Sequence, residues 1–276
     1  MSPLISASDL RDQLAHGHVQ VLDTRWQLGR DDGREQYLAG HIPGAIFVDV
    51  ERDLSRHGEA SEGRHPLPTD AALAAAARRW GLKAGASVVV YDGFRMLAAS
   101  RAWWALRRAG VDVRVLDGGW AAWLAAGGET QTGDVAAEPG DIVLSSPEDT
   151  GTIDTRSAAT WPNAGVLLDA RAPERYRGES EPLDPVAGHI PGALNLPIGL
   201  VLTEDARFRS ASEIATAFDA VGASAATPIA AYCGSGITAA QLALAGAIID
   251  RDVTVYPGSW SAWSNTEGLP VATGDE

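Results

Sequence analysis

The chain has a single cysteine among its 276 residues, within the run Tyr232-Cys233-Gly234-Ser235-Gly236-Ile237-Thr238-Ala239-Ala240. Two glycines in that run let the backbone curl so that successive N–H groups face one point and form an anion cradle. Residues 238–249 are rich in Ala and Leu, so a helix is expected to follow, with its positive end at the same spot. A thiol in that field is expected to lose its proton readily, because donors that bind anions also stabilise a thiolate. A lone cysteine more often serves as a small buried apolar side chain. Here the loop chemistry favours a nucleophile instead. That use requires a thiol that reagents can reach, and one packed out of solvent reach would argue against it.

The elements around the cysteine follow from pattern. Thr227-Pro228-Ile229-Ala230-Ala231-Tyr232 is a short apolar run after a proline and reads as a buried strand, which places Cys233 at a strand end. The same local order occurs twice in the chain. Val21-Leu22-Asp23-Thr24-Arg25 returns as Leu167-Leu168-Asp169-Ala170-Arg171, and Gly40-His41-Ile42-Pro43-Gly44-Ala45 returns unchanged at 188–193. Val88 to Gly93 matches Ile229 to Gly234, which puts Asp92 where the second half has Cys233. Gly119-Trp120-Ala121-Ala122-Trp123 matches Ser259-Trp260-Ser261-Ala262-Trp263. The chain is therefore a tandem duplication.

Each half alternates short strands with helices; the first half reads as strands over 19–23, 87–91 and 113–116 and helices over 71–80 and 97–109. Such alternation predicts an α/β fold in which each half is a mostly parallel sheet with helices on both faces. Ligands then sit beyond the carboxyl ends of the strands, where Cys233 falls. Residues 1–129 form the first domain and 148–276 the second. Between them, 130–147 is a linker, with Ile142-Val143-Leu144 as a strand that begins the second half.

Several residue types read as structural. The histidines of the two Gly-His-Ile-Pro-Gly-Ala turns are expected to hold loops by hydrogen bonds rather than bind metal. His16 and His18 read as a surface loop. Trp103, Trp104, Trp120, Trp123, Trp260 and Trp263 read as core or interface packing.

A composition of 45% hydrophobic and 21% charged residues suits an ordinary globular chain. One cysteine excludes an internal disulfide and fits a reducing compartment, so the expected location is cytoplasmic. The formal charge of −14 argues against nucleic acid or an anionic membrane as partner. The N-terminus does not look like a signal peptide, and no apolar run has transmembrane length.

Taken together, Leu-Asp-x-Arg, Gly-His-Ile-Pro-Gly-Ala, the strand ending in the active loop and Gly-x-Trp, in one order twice, resemble tandem rhodanese-type sulfurtransferases along essentially the whole chain. The resemblance implies two rhodanese-like domains, of which the second is catalytic. The first, with Asp92 at the cysteine position, is implied to be a non-catalytic partner, since a carboxylate cannot accept sulfane sulfur. The loop Cys233-Gly234-Ser235-Gly236-Ile237-Thr238 is similar to that of 3-mercaptopyruvate sulfurtransferases and lacks the loop cations of thiosulfate-preferring relatives. Arg171, Arg175 and Arg177, which follow Asp169, are candidates for holding the donor's carboxylate, and by the same resemblance Arg175 is the substrate-binding one; Gly234, Gly236, Ile237 and Thr238 of the amide cradle are expected to line the donor. The family's second arginine is missing from Ser180-Glu181-Pro182-Leu183-Asp184-Pro185, which leaves the donor open. Ser235, His65 and Glu51 match a Ser–His–carboxylate relay, with Asp49 as the alternative carboxylate. An imidazole in such a unit can move a proton at the leaving group or acceptor.

The expected reaction is a double displacement through a Cys233 persulfide, from 3-mercaptopyruvate as the small-molecule sulfur donor to cyanide, a thiol or a thioredoxin-type acceptor, with no metal or organic cofactor. Three alternatives accompany it. Thiosulfate is the alternative donor. A persulfide carrier or sensor without small-donor turnover is the alternative class. A cysteine phosphatase is disfavoured, because position 239 is Ala where that chemistry needs an arginine to clamp phosphate.

Overall fold

The computed structural model describes residues 2–17, 19–145 and 151–275. His18 and the last residues of the expected linker, 146–147, lie outside the described residues. Two compact units are present. One comprises Met1–Ser55, Pro68–Thr150 and Glu204–Arg207, and the other Arg56–Leu67, Gly151–Thr203 and Phe208–Glu276.

The first unit holds strands β1 (Leu4–Ile5), β2 (Val19–Asp23), β3 (Ile46–Phe47), β4 (Ser87–Tyr91) and β5 (Val113–Leu116) in the order β1-β5-β4-β2-β3, every pair parallel. The second holds β6 (Val166–Asp169), β7 (Leu194–Asn195), β8 (Ile229–Tyr232) and β9 (Val253–Val255) in the order β7-β6-β8-β9, again all parallel. The α/β expectation stands. The central strands β4 and β8 are unbroken apolar runs because a parallel sheet is buried on both faces. Thr69 and Ser210 start the helices Asp70–Arg79 and Ala211–Ala220 by accepting hydrogen bonds from Ala72 and Glu213 N–H. The apolar triplet 142–144 is not a strand. Its backbone runs back along the first unit, with Ile142 N–H donating to Leu82 carbonyl and only Ile142 buried, while Val143 is 85% exposed. Among the described residues no helix is long and apolar enough to cross a membrane.

The repeated motifs have one physical explanation, found in both units. In the second, Arg171 Nη2 donates to Asp169 Oδ2 at 2.6 Å and to Gly188 carbonyl at 2.6 Å, while its guanidinium lies 4.7 Å from the Trp260 ring centroid. In the first, Arg25 Nη2 donates to Gly40 carbonyl at 2.6 Å and the guanidinium lies 4.6 Å from Trp120. There Nε sits 3.1 Å from Asp23 Oδ2 as an ion pair without a hydrogen bond. The arginine thus ties the strand-end Asp, the Gly-His-Ile-Pro-Gly-Ala turn and the tryptophan together. Each turn is closed from the far side as well. His41 and His189 stack on Tyr37 and Tyr176, with Nδ1 at the same tyrosine's carbonyl, and those tyrosine hydroxyls donate to Ala45 and Ala193 carbonyls. The two histidines therefore hold loops. Five of the six tryptophans singled out are buried and Trp120 is half-buried under Arg25.

Removing one partner of such a buried pair leaves the other charge uncompensated. Arg25→Met should destabilise the protein by about 3–5 kcal/mol, read as the shift in its urea unfolding midpoint. A shift below about 1 kcal/mol would mean that the tie contributes little.

Candidate active site

Cys233 follows β8 directly, and Gly236, at φ +83°, caps the helix Ile237–Ile248. A side chain could not replace that glycine, because a Cβ there would stand 2.4 Å from Pro257 carbonyl. The turn brings Gly236 N–H to Cys233 Sγ at 3.1 Å, the first donor a charged sulfur would use. The loop is pinned from below by residues 259–261. Ser259 Oγ accepts Cys233 N–H at 3.1 Å, and Trp260 and Ser261 N–H donate to Cys233 and Gly234 carbonyls at 2.9 and 2.8 Å. Ser259 holds this position at φ +54°, a strained conformation for a residue with a Cβ. Cys233 is only 2% exposed, tighter than a reachable thiol requires. Gly234, Gly236 and Ile237 are buried with it, and Thr238 is half-buried in the first helical turn.

His65 arrives on a segment that belongs to the second unit although it precedes most of the first in sequence. Arg56 N–H donates to Pro66 carbonyl at 3.0 Å and closes this segment into a loop. A short helical turn, Ala60–Glu62, stiffens it with a reciprocal Glu59–Glu62 cap, and Arg56 pairs with Glu62. Gly63, at φ +88°, lies so close to the backbone of Gly258 that a Cβ would stand 2.5 Å from its carbonyl oxygen. The segment is thereby fixed against the residues that pin the cysteine loop. His65 Nδ1 meets Ser235 Oγ at 2.7 Å, with His65 4% and Ser235 8% exposed.

Arg175, on the short helix Pro173–Tyr176, donates through Nε and Nη2 to Glu181 at 3.2 and 2.6 Å, and its Nη2 lies 3.6 Å from Asp184. Its Nη1 points to Gly234, 3.5 Å from where a Cβ would stand. Arg171 is a correction. Its guanidinium is 4% exposed and bonded to Asp169, Glu181 and Gly188, so no face is left for a substrate. Burial opposes its charge, but Asp169 foremost, with Tyr232 and Glu181, raises its pKa above the ordinary value. Glu51 lies in the first unit, where Oε1 accepts the Trp26 indole N–H at 2.7 Å beside a cleft of about 610 Å3. Asp49 caps the helix Val50–Asp53, accepting Glu51 and Arg52 N–H.

Two features of the site escaped the sequence reading. One is the anchoring of Arg175 by Glu181 and Asp184. The other is Arg64, which pairs with Asp184 and brings Nη2 to 3.1 Å from the same point beside Gly234. The only signal was its place directly before His65.

The first unit shows the same turn filled by a carboxylate. Asp92 Oδ1 accepts Phe94 and Met96 N–H at 2.8 and 3.0 Å, and Oδ2 accepts Ala99 N–H at 3.0 Å. Met96 caps the next helix, Leu97–Arg108, in the left-handed conformation that Gly236 adopts in the second unit.

The fold and site thus define a duplicated parallel α/β protein whose lone cysteine occupies a strand-end turn, with Gly236 N–H at its sulfur, in one of two similar units. The chain belongs to the rhodanese-like domain family, which it matches over residues 6–126 and 149–266. It is similar to SseB of Mycobacterium tuberculosis, whose name carries a provisional assignment as a thiosulfate sulfurtransferase. They share 45% identity across 98% of this chain and 97% of that one. A 3-mercaptopyruvate sulfurtransferase of Escherichia coli K12 is 35% identical over 97% and 96% of the two chains. The crystal structure of SseA from Escherichia coli, a 3-mercaptopyruvate sulfotransferase of the rhodanese fold, superposes with a TM-score of 0.84. That match has 32% identity and covers 94% of this chain and 99% of the other.

Burial is the largest influence on Asp92 and, against the amides of Ala99, Phe94 and Met96, raises its pKa from 3.8 to about 7. The folded protein therefore binds this proton more tightly than the unfolded chain does. The resulting stability is complete below about pH 4 and is lost as pH rises through about 7. Asp23 shifts in the same direction, also through burial, so the informative quantity is a difference. Urea unfolding of the native chain and of Asp92→Asn, compared from pH 4 to 8, should give a shallower decline for the variant. The gap should be at most ~1.4 kcal/mol per pH unit; parallel curves would refute the assignment.

Proposed function

We propose that this chain is a sulfurtransferase that moves sulfane sulfur from 3-mercaptopyruvate, through a persulfide on Cys233, to a thiol, a thioredoxin-type dithiol or cyanide. The observation that carries the reading is the 2.7 Å contact of His65 Nδ1 with Ser235 Oγ inside the cysteine loop. A mercaptopyruvate enzyme needs a proton at the departing carbon, whereas a passive carrier has no use for such a pair. The 2% exposure of Cys233 counts against this reading unless the donor uncovers the thiol on entry. Cys233 sulfur then attacks the donor sulfur, an S–S bond forms as the donor C–S bond breaks, and pyruvate leaves as its enolate. The Ser235–His65 pair delivers the proton that converts the enolate to pyruvate. Glu51 serves as the relay's carboxylate by family resemblance. The terminal persulfide sulfur takes up hydrogen bonds from the loop amides, beginning with Gly236 N–H, and an acceptor thiolate then attacks it and regenerates Cys233. The first half acts as the non-catalytic partner, its own turn occupied by Asp92. A lone thiol used in this way fits the cytoplasm.

Thiosulfate as donor is the second reading, favoured by the two guanidinium groups beside Gly234. Catalytic efficiency with each donor, cyanide being the common acceptor, separates the two. A strong preference for thiosulfate would overturn the first reading.

Mass spectrometry after donor treatment should find one added sulfur on the native chain and none on Cys233→Ser, whose circular dichroism should be unchanged. Turnover by that variant, or failure of native Cys233 to load, would remove the persulfide from the mechanism. His65→Ala and Ser235→Ala should each lower kcat with mercaptopyruvate by roughly 100-fold. If the two act as one unit, the double variant should be no slower than either.

A further inference from the structure

We propose that Asp184 filters donors by charge. Its buried carboxylate completes the neutralisation of the arginines beside the Cys233 loop, so that a singly charged donor is accepted and a dianion such as thiosulfate is held off. The inference deepens the sulfurtransferase reading and rests on it.

An unbroken run of ion pairs is the first argument. Asp169 pairs with Arg171 at 2.6 Å, Arg171 with Glu181 at 3.2 Å and Glu181 with Arg175 at 2.6 Å. Arg175 lies 3.6 Å from Asp184, which pairs in turn with Arg64. The signs alternate from the strand end to the cysteine turn, three carboxylates against three guanidiniums, and the formal charges of the six cancel. The loop 233–238 itself carries no charged side chain. This cluster therefore offers the directed donors of arginine without a net positive charge.

The unlike bonding of its two inner carboxylates is the second. Glu181 is fully used. It accepts from Arg171 Nη1, from Nε and Nη2 of Arg175, and from the N–H groups of Leu183 and Asp184. That is the pattern of an anchor. Asp184 turns Oδ1 to Arg64, but its Oδ2 is buried and has no hydrogen bond among the described residues. A buried carboxylate oxygen without a donor costs free energy. One oxygen is enough to anchor; what the other contributes is charge.

Distance is the third. Asp184 Oδ2 and the point where a Gly234 Cβ would stand are each 3.6 Å from the same Arg175 Nη2, so they lie within about 7 Å of each other. The Asp184 side chain is 1% exposed, and solvent screens such a charge weakly. At that range each additional negative charge on a bound donor should weaken binding by about 10-fold or more. Arginine geometry selects a planar carboxylate, and Asp184 rejects the second charge.

The test uses the full-length chain. Asp184→Asn keeps an acceptor for Arg64 and removes the charge, while Asp184→Glu keeps the charge. Binding of pyruvate, a monoanion, and of sulfate, a dianion, is measured by calorimetry at constant ionic strength. The native chain should bind pyruvate at least about 10-fold more tightly than sulfate. Asp184→Asn should shrink that ratio by about 10-fold, chiefly by tightening sulfate, and Asp184→Glu should restore part of it. In turnover, Asp184→Asn should raise kcat/KM for thiosulfate relative to mercaptopyruvate by a similar factor. Sulfate that matches pyruvate on the native chain, or binding of neither, would overturn the filter without any variant. A ratio unmoved in Asp184→Asn would overturn it as well. Equal weakening of both anions, with a lower urea midpoint, would make Asp184 an anchor only and refute the proposal. The expected binding ratios in a chain that turns over neither donor would retain the filter and refute the sulfurtransferase reading.

Discussion

Main-chain amides that converge at the end of a strand need an acceptor, and the whole molecule is arranged around that need. Each unit builds the turn from its central strand, and each caps the following helix with a residue in the left-handed conformation. In one unit the acceptor is a carboxylate built into the chain, held by Phe94, Met96 and Ala99. In the other it is the sulfur of Cys233, which Gly236 N–H meets at 3.1 Å. The same backbone solution thus presents a carboxylate at position 92 in one unit and a thiol at position 233 in the other.

The turn keeps its shape because its surroundings cannot relax. Gly236 and Gly63 lie against backbone carbonyls at distances no side chain could occupy, and Ser259 is held at positive φ while it accepts Cys233 N–H. The strand ends beneath are locked by the arginine ties that join Asp169 to Gly188 and Trp260. Motifs that look separate along the sequence are therefore one connected object in space. Their joint recurrence follows from this, since losing one member strands the others.

Much of this was legible from sequence. Strands at 19–23, 87–91 and 113–116 were legible as Val-rich runs, continuous at Val88-Val89-Val90 and interrupted only by Gln20 and Arg114 in the other two. The loop histidines were legible too, since nothing nearby could share a metal with them. Arg171 was misread: proximity to Arg175 in sequence suggested a shared role, whereas Arg171 is drawn into the buried tie with Asp169 and Gly188 and shares only Glu181 with Arg175. The triplet 142–144 was misread because a short apolar run does not reveal which sheet, if any, has a free edge for it. Arg64 went unnoticed because charge beside a histidine is common on surfaces, and only the fold brings residue 64 to residue 184.

The path of residues 56–67 has a consequence for how such a protein can arise and be divided. Although two similar halves follow one another in the sequence, the piece that carries His65 and Arg64 is encoded in the first and packed into the second unit. A gene fragment holding only the later half would encode Cys233 and Arg175 and lack both of those side chains. Cutting the gene between the repeats would therefore part Cys233 from side chains that pack in its own unit.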